Sequence, residues 1–347
     1  MKNILDIPIG GVREELTAMG FKSYKADQVL DWIYKKKTFN FEIMSNISKV
    51  DAKKLTAAFA MDIPRPVDIL KSRDGTNKYL LELSDGNVVE TVLMEYSYGY
   101  SLCISSQAGC RMNCSFCASG KDGLARNLTP GEMTGQILSV SAHSGCDIAR
   151  VVVMGIGEPF DNYENFIKFI EAANDRKGLD IGQRRITVST CGIVPRIYDF
   201  ADYDSQVNLA ISLHGTNNTL RSTTMPINKK YPIEELIKAC RYYVKKTHRR
   251  LSFEYALMPG INDSEQKAEE LARLLKGMLC YVNIIPVNRI DGVTYDGDPR
   301  ANASRFYDIL EKQGVQVTVR RELGTDIKAA CGQLMRSHAD KVQYRDR

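Results

Sequence analysis

The stretch Cys110-Arg111-Met112-Asn113-Cys114-Ser115-Phe116-Cys117 sets three thiols in a CxxxCxxC pattern with an aromatic residue beside the last. A loop that brings three thiolates to one point and withholds a fourth can hold a four-iron, four-sulfur cluster with one iron left open for chemistry. A zinc knuckle or a structural four-thiolate site competes with that reading, because Cys103 lies just upstream and could complete either. Zinc pairs, however, are typically CxxC and come twice.

Around this stretch, 347 residues with 44% apolar content suffice for a barrel plus a small accessory module. The sequence has no apolar run of ~18 or more residues and no N-terminal signal pattern, so a cytoplasmic protein without a membrane segment is expected. Nine cysteines, odd in number and unevenly spaced, speak against a disulfide framework and for metal binding or catalysis. Cys146, Cys191, Cys240 and Cys280 read as ordinary buried thiols. A net charge of +5 permits a polyanionic partner without requiring one. Cations interleaved with aromatics, as in Tyr34-Lys35-Lys36-Lys37 and from Arg241 to Arg250, can track phosphates and stack on bases. Taken alone, such groups, with Arg184-Arg185 and Arg320-Arg321, are more often the solvated faces of ordinary elements.

Taken in order, residues 1–65 read as a helical module, in which Val29, Leu30, Ile33 and Tyr34 fall at helical spacing and Lys49 to Ala60 resume the pattern. Residues 66–98 read as a β-hairpin linker, with a Ser84-Asp85-Gly86-Asn87 turn between Tyr79–Leu83 and Val88–Met94. Glu90, inside the second strand, is by residue type a surface glutamate. From residue 99 short apolar strands alternate with helices: strands at 101–105, 149–154, 185–189, 207–213, 251–257 and 280–287, and helices at 131–143, 161–175, 194–200, 232–247 and 264–276. Asp263 is placed to cap the last of these helices and Gly277 to stop it. A helix at 301–313 and a strand at 315–320 follow, and the polar tail from Ser337 is expected to be mobile. This α/β alternation predicts parallel strands with helices outside, as a barrel or as a doubly wound sheet. Either fold gathers functional loops at the carboxyl ends of its strands, where the motif residues fall.

Five motifs occur in order around the thiol stretch: Cys103-Ile104-Ser105-Ser106-Gln107-Ala108-Gly109-Cys110, Met154-Gly155-Ile156-Gly157-Glu158-Pro159, Ser212-Leu213-His214, Met225-Pro226-Ile227-Asn228 and Ala330-Cys331-Gly332-Gln333-Leu334. Together with Phe116 they resemble the RlmN/Cfr family of radical S-adenosylmethionine (SAM) RNA adenine methyltransferases, from the N-terminal helices to near the C-terminus. The resemblance implies an incomplete (β/α)6 radical SAM barrel over residues 99–347, with a C-terminal extension and an N-terminal accessory RNA-binding domain. It implies a [4Fe-4S] cluster on Cys110, Cys114 and Cys117, and SAM contacts at Gly157, Glu158, Ser189, Ser212, Leu213, His214 and Asn288. Read as bare residues, the Gly155–Glu158 loop is a common strand-to-helix turn, and a single histidine at a strand end is as often a structural hydrogen-bonding group.

The resemblance also implies the catalytic residues Cys331, Cys103 and Glu90, although by type both cysteines are ordinary core thiols. In that family the counterpart of Cys331 takes a methyl group from one SAM, and a second SAM yields the radical that activates it. The counterpart of Glu90 accepts a proton, and that of Cys103 releases the product as a Cys103–Cys331 disulfide forms. The implied substrates are an adenine of 23S rRNA, methylated at C2, and the anticodon-loop adenine of tRNA, with a small flavodoxin or ferredoxin as electron donor. A monomer is expected.

Adenine C8 methylation of 23S rRNA uses the same cysteines. The strings Pro226–Tyr231 and Asn283–Asn288 resemble the C2 enzymes more closely. From a different class, a non-catalytic iron–sulfur RNA-binding regulator would need the cluster and the cations but neither Cys331 nor Glu158. A glycyl-radical activase would leave Cys103 and Cys331 without a joint use.

Overall fold

The computed structural model describes residues 1–288, 295, 297, 298 and 300–338. The chain opens with a short strand β1 (Lys2–Asn3), helices α1 (Ile9–Ala18), α2 (Ser23–Leu30) and α3 (Lys49–Ala58), and strand β2 (Phe59–Ala60), which pairs in parallel with β1 and closes the module. Its core holds Val29, Leu30, Ile33 and Tyr34, the positions the periodicity selects, together with Val12, Leu16 and Leu55. The helix expected to run on through Tyr34 loosens after Leu30 into a wider-wound turn over Asp31–Lys35, which still buries Ile33 and Tyr34. Ser48 caps α3 by accepting from Asp51 N–H at 3.1 Å.

Three strands follow as an antiparallel meander, β3 (Arg65–Lys71), β4 (Asn77–Glu82) and β5 (Asn87–Tyr96), so the expected hairpin has a third strand in front of it. Next come β6 (Gly99–Ile104), antiparallel to β5, then the short pair β7 (Gln107–Gly109) and β8 (Leu124–Asn127). The remainder alternates: α4 (Pro130–Ser144), β9 (Ile148–Val153), α5 (Tyr163–Asn174), β10 (Ile186–Thr190), α6 (Val194–Asp202), β11 (Asn208–Ser212), α7 (Asn218–Thr224), α8 (Ile233–Thr247), β12 (Leu251–Leu257), α9 (Glu265–Leu275), β13 (Cys280–Pro286), α10 (Ala303–Lys312) and β14 (Gln316–Val319). A final strand, β15 (Ser337–His338), pairs antiparallel with β5. The rest of the polar tail lies outside the described residues.

The main sheet runs β14-β13-β12-β11-β10-β9-β6-β5-β4-β3. Strands β6 and β9 to β13 are the six expected parallel strands, and β14 adds a seventh parallel strand at the edge. Each new strand joins the same side of the last, without the reversal that marks a doubly wound sheet. Right-handed crossovers then send every helix to one face, which curls the sheet into an open barrel. All seven residues of β12 are buried, as a central parallel strand covered on both faces requires. The α9 cap differs from expectation by one residue. Ser264 accepts from Lys267 N–H, while Asp263 accepts from Gly260 N–H and Asn302 instead. No helix among the described residues is long and apolar enough to cross a membrane.

Helix α4 joins the module to the barrel. Thr129 and Glu132 form a reciprocal capping box at its start, Gly131 N–H donates to Asp6 Oδ1 at 2.8 Å, and Leu138 completes the module's core. The approach is close: a Cβ on Gly135 would stand 2.5 Å from Pro64 Cδ. Gly135→Ala is therefore expected to cost about 1–3 kcal/mol by overpacking, measured by equilibrium denaturation. Gly10→Ala, in α1 with nothing within 4 Å of the new Cβ, is expected to gain about 0.5–1 kcal/mol.

Candidate active site

Strands β7 and β8 bracket the thiol stretch and close it into a loop. Cys110 N–H donates to Gly123 O at 3.0 Å, and Gly109 has φ 85°, where a Cβ would collide with that same carbonyl. Within the loop Cys117 N–H donates to Cys114 O, and Asn113 takes φ 51°. Two outside bonds pin it: Ser115 N–H to Thr224 O at the end of α7, and Ala118 N–H to Gly332 O beside Cys331.

Cys110, Cys114 and Cys117 line one cavity of about 160 Å³ at the carboxyl ends of the parallel strands. Burial pushes all three thiols up, Cys110 to about 12, so each favours its neutral form unless a metal compensates the charge. Among the described residues no three His, Cys, Asp or Glu side chains converge enough to share one metal ion. A cubane needs no such convergence, since each thiolate binds a different iron. Cys103 lines an adjoining cavity of about 70 Å³ and not this one, so it does not complete a four-thiolate site around the loop. The donor set fits a three-thiolate iron–sulfur cluster.

The loop after β9 forms one wall. Gly155 N–H donates to Ile104 O at 3.0 Å, where a Cβ would stand 2.7 Å from that oxygen, and Gly157 takes φ 108° against Gln107. Glu158 is buried. Its Oε1 accepts from Phe160 N–H at 2.9 Å and its Oε2 from Cys191 N–H at 2.7 Å, while burial raises its pKa. Ser189 and Ser212 lie 3.1 Å apart, oxygen to oxygen, at neighbouring strand ends on the cavity. His214, at φ 51°, accepts from Ala256 N–H through Nδ1 at 2.9 Å, which leaves its proton on Nε2. Its ring packs edge-on against Phe116, 4.6 Å between centroids. Burial, with help from Arg221, pulls its pKa down to about 3, so the imidazole is neutral. Asn288 lines the cavity and donates to Cys331 O at 3.1 Å. Leu213 is fully buried away from it, its N–H donating to Glu254 O and its carbonyl accepting from Arg221 Nε.

Cys331 lines both cavities, and Cys103 faces it from the smaller one. Burial, with the Cys331 thiol beside it, pushes Cys103 up to about 12, and the guanidinium of Arg320 opposes that rise. Arg320 lines both cavities too, held above its ordinary pKa chiefly by Cys331. In sequence it reads only as half of an Arg-Arg pair, and its place became legible once β14 was set next to β13. Glu254, which lines the larger cavity and accepts from Ser252 Oγ and Asn283, carried no sequence signal either.

Glu90 is not the surface residue its type suggests. It is 8% exposed, pairs with buried Lys78 at 3.0 Å and accepts from Met335 N–H at 3.0 Å. Burial raises its pKa and Lys78 opposes the rise. The strand continues on that face through Val92 and Met94, which line the cavity holding Cys103, while Glu90 itself lies beyond the lining of either cavity. Cys191, read as an ordinary buried thiol, is buried and also lines the larger cavity. Several of the basic groups are engaged: Lys35 with Asp180, Lys37 with Asp147, and Lys36 over the Trp32 ring.

Comparison with known proteins agrees with this geometry. Residues 104–274 match the radical SAM superfamily, and residues 2–61 match the ribosomal RNA large subunit methyltransferase N-terminal domain. Over 339 residues the chain is 51% identical to a probable dual-specificity RNA methyltransferase RlmN of Clostridium perfringens (strain SM101 / Type A), covering 97% of this chain and 98% of that one. A protein of the same description from Clostridium novyi (strain NT) is 49% identical over 97% and 99% of the two chains. The crystal structure of a radical SAM methyltransferase from Sphaerobacter thermophilus superposes with a TM-score of 0.93 at 42% identity, covering 96% of this chain and 99% of that one. With such identity along almost its whole length, an open parallel barrel and three thiols on one cavity, the chain belongs to the RlmN family of radical SAM RNA methyltransferases.

Proposed function

We propose that this enzyme methylates C2 of an adenine in 23S rRNA and of the anticodon-loop adenine in tRNA, through a methyl group carried on Cys331. The observation that carries this reading is the adjacency of Cys331, Cys103 and Arg320 at two adjoining cavities, one of which holds the three loop thiols. The description of the relatives as dual-specificity RNA methyltransferases supports the two RNA classes. A cluster on Cys110, Cys114 and Cys117 with two SAM molecules per turnover would supply the methyl group and the one-electron chemistry that activates it.

The residues divide the remaining work. Adenine C2 lies between two ring nitrogens and is too electron-poor to attack a methyl sulfonium, so the carbon is delivered from the Cys331 sulfur, which then ties base to protein. Glu90 takes the C2 proton, exchanging its Met335 N–H bond for that role, and Lys78 opposes the rise that burial causes in its pKa. The adduct's odd electron would return to the one-electron centre. Cys103 as thiolate attacks the Cys331 sulfur, the carbon–sulfur electron pair leaves with the methylene carbon on the base, which takes up a proton to become the methyl group, and a Cys103–Cys331 disulfide remains. Two electrons from a small flavodoxin- or ferredoxin-type donor restore both thiols. Gly157, Glu158, Ser189, Ser212 and Asn288 hold SAM along the strand ends, and His214 offers a neutral Nε2–H donor.

Mass spectrometry of nucleosides tests this directly: cells lacking the protein are expected to lose 2-methyladenosine from both large-subunit ribosomal RNA and transfer RNA. Dependence of 8-methyladenosine on the protein would overturn the C2 assignment. Cys331→Ala is expected to bind RNA normally and form no methylated product, and product at the normal rate would sink the thioether route. Cys103→Ala is expected to stall with RNA covalently attached, visible as a protein band shifted on a denaturing gel and removed by nuclease. For His214, the unfolded imidazole takes up a proton near 6.5 whereas the folded one does so near 3, so stability falls as pH drops through that window. His214→Gln is expected to flatten this slope when urea midpoints at about pH 7 and about pH 5 are compared.

A further inference from the structure

Arg221 on α7 is fully buried, at 0% exposure, and among the described residues has no carboxylate partner. Its guanidinium instead donates to four oxygens: Leu213 O at 3.1 Å, Cys191 O at 2.5 Å, Ser212 O at 3.4 Å and Asn228 Oδ1 at 3.1 Å. Burial draws its pKa below the ordinary value, yet a guanidinium stays protonated in proteins. Buried charges are paired or coordinate metals, because an uncompensated one is costly. The cysteines around Arg221 offer no anion of their own, since burial holds Cys191 and Cys240 in the neutral form.

The missing anion is indicated by where the charge points. Arg221 holds the carbonyls of Cys191 and Ser212, two residues that line the same cavity as the three loop thiols. The same helix ends at Thr224 O, which accepts from Ser115 N–H in the thiol loop. Arg221 does not line the cavity, and most of its N–H groups are spent on carbonyls. It therefore cannot fork onto a ligand carboxylate, but it can act as a fixed charge behind the wall.

We propose that Arg221 is the counter-charge of the iron–sulfur cluster held by Cys110, Cys114 and Cys117, and that it raises the cluster's reduction potential. The inference rests on the cluster reading of those three thiols. One-electron reduction adds a negative charge to the cluster, and a cation fixed nearby stabilises the reduced form more than the oxidised form. Arg221 is thus a positioning residue for electron uptake, and its second task is to brace the loops after β10 and β11.

Charge and bracing separate by substitution. Arg221→Gln removes the charge, whereas Arg221→Lys keeps it and gives up the planar fork. Each protein is loaded anaerobically with iron and sulfide, its iron content measured, and its cluster titrated with dithionite and mediators while the reduced signal is followed by electron paramagnetic resonance. The glutamine variant is expected to disfavour reduction at least tenfold, a fall of 59 mV or more for a one-electron couple, with the lysine variant near the parent. An unchanged potential in a loaded glutamine variant overturns the proposal. If that variant does not load, the lysine variant decides through pH, because lysine can lose its charge and arginine does not: a potential that falls further than the parent's as pH is raised from about 7 to about 10 supports the counter-charge, and one that follows the parent's, or loss of its cluster, leaves Arg221 a brace only. A parent protein that takes up no iron would instead defeat the cluster reading itself.

Discussion

The bond from Cys110 N–H to Gly123 O holds the rest of the site in place. It closes a loop whose ends are already paired as β7 and β8, and it is possible only because Gly109 carries no side chain. A closed loop presents three thiols from one short stretch to the strand ends of an open barrel. Without that closure the thiols would follow a mobile segment. Holding three ligands at fixed positions is what lets a loop, rather than a strand, carry a metal centre.

The same loop captures a distant part of the chain. Ala118 N–H bonds Gly332 O, Ser119 Oγ bonds Leu334 O, and a Cβ on Gly332 would press on Phe116 O. From the other side Asn288 holds Cys331 O and Glu90 holds Met335 N–H. These bonds explain how a cysteine more than 200 positions from the thiol loop, by its number, comes to share a cavity with it. They also give the antiparallel meander a purpose beyond covering the barrel's edge. Strand β5 supplies Glu90 and Lys78 reaches it from β4, so the segment bearing Cys331 is pinned by a buried ion pair. Breaking one partner of such a pair is far more costly than a surface pair would suggest.

What the sequence made legible follows from locality. The CxxxCxxC spacing, the glycines at 155 and 157, and the strand–helix alternation are short-range patterns, and the structure places them as the patterns require. The barrel was separable from a doubly wound sheet only through strand order, a long-range property that no local window carries. Glu90 was misjudged because residue type says nothing of Lys78 across the strand pair or of Met335 far along the chain. Arg320 and Glu254 were missed for the same reason: each gains its place from a neighbouring strand set by sheet register. The cap of α9 fell one residue late because Asp263 was already engaged by Gly260 and Asn302.

Two buried or half-buried arginines divide the electrostatics of the site between its two sulfur chemistries. Arg320 faces Cys331 and Cys103, where, on the proposed route, a thiolate must form against burial before sulfur can attack sulfur. Arg221 stands behind Cys191 and Ser212, which line the cavity of the loop thiols. A single mobile cation could serve only one of these places at a time, and one left in the cavity would compete with SAM for space. Fixing one charge on β14's trailing end and the other on α7, each tied by backbone bonds, lets both act while the cavity stays open for ligand. Among the described residues Arg221 has no carboxylate partner, which leaves its charge uncancelled behind the wall, whereas Arg320 shares its surroundings with Glu254 as well as with Cys331 and Cys103.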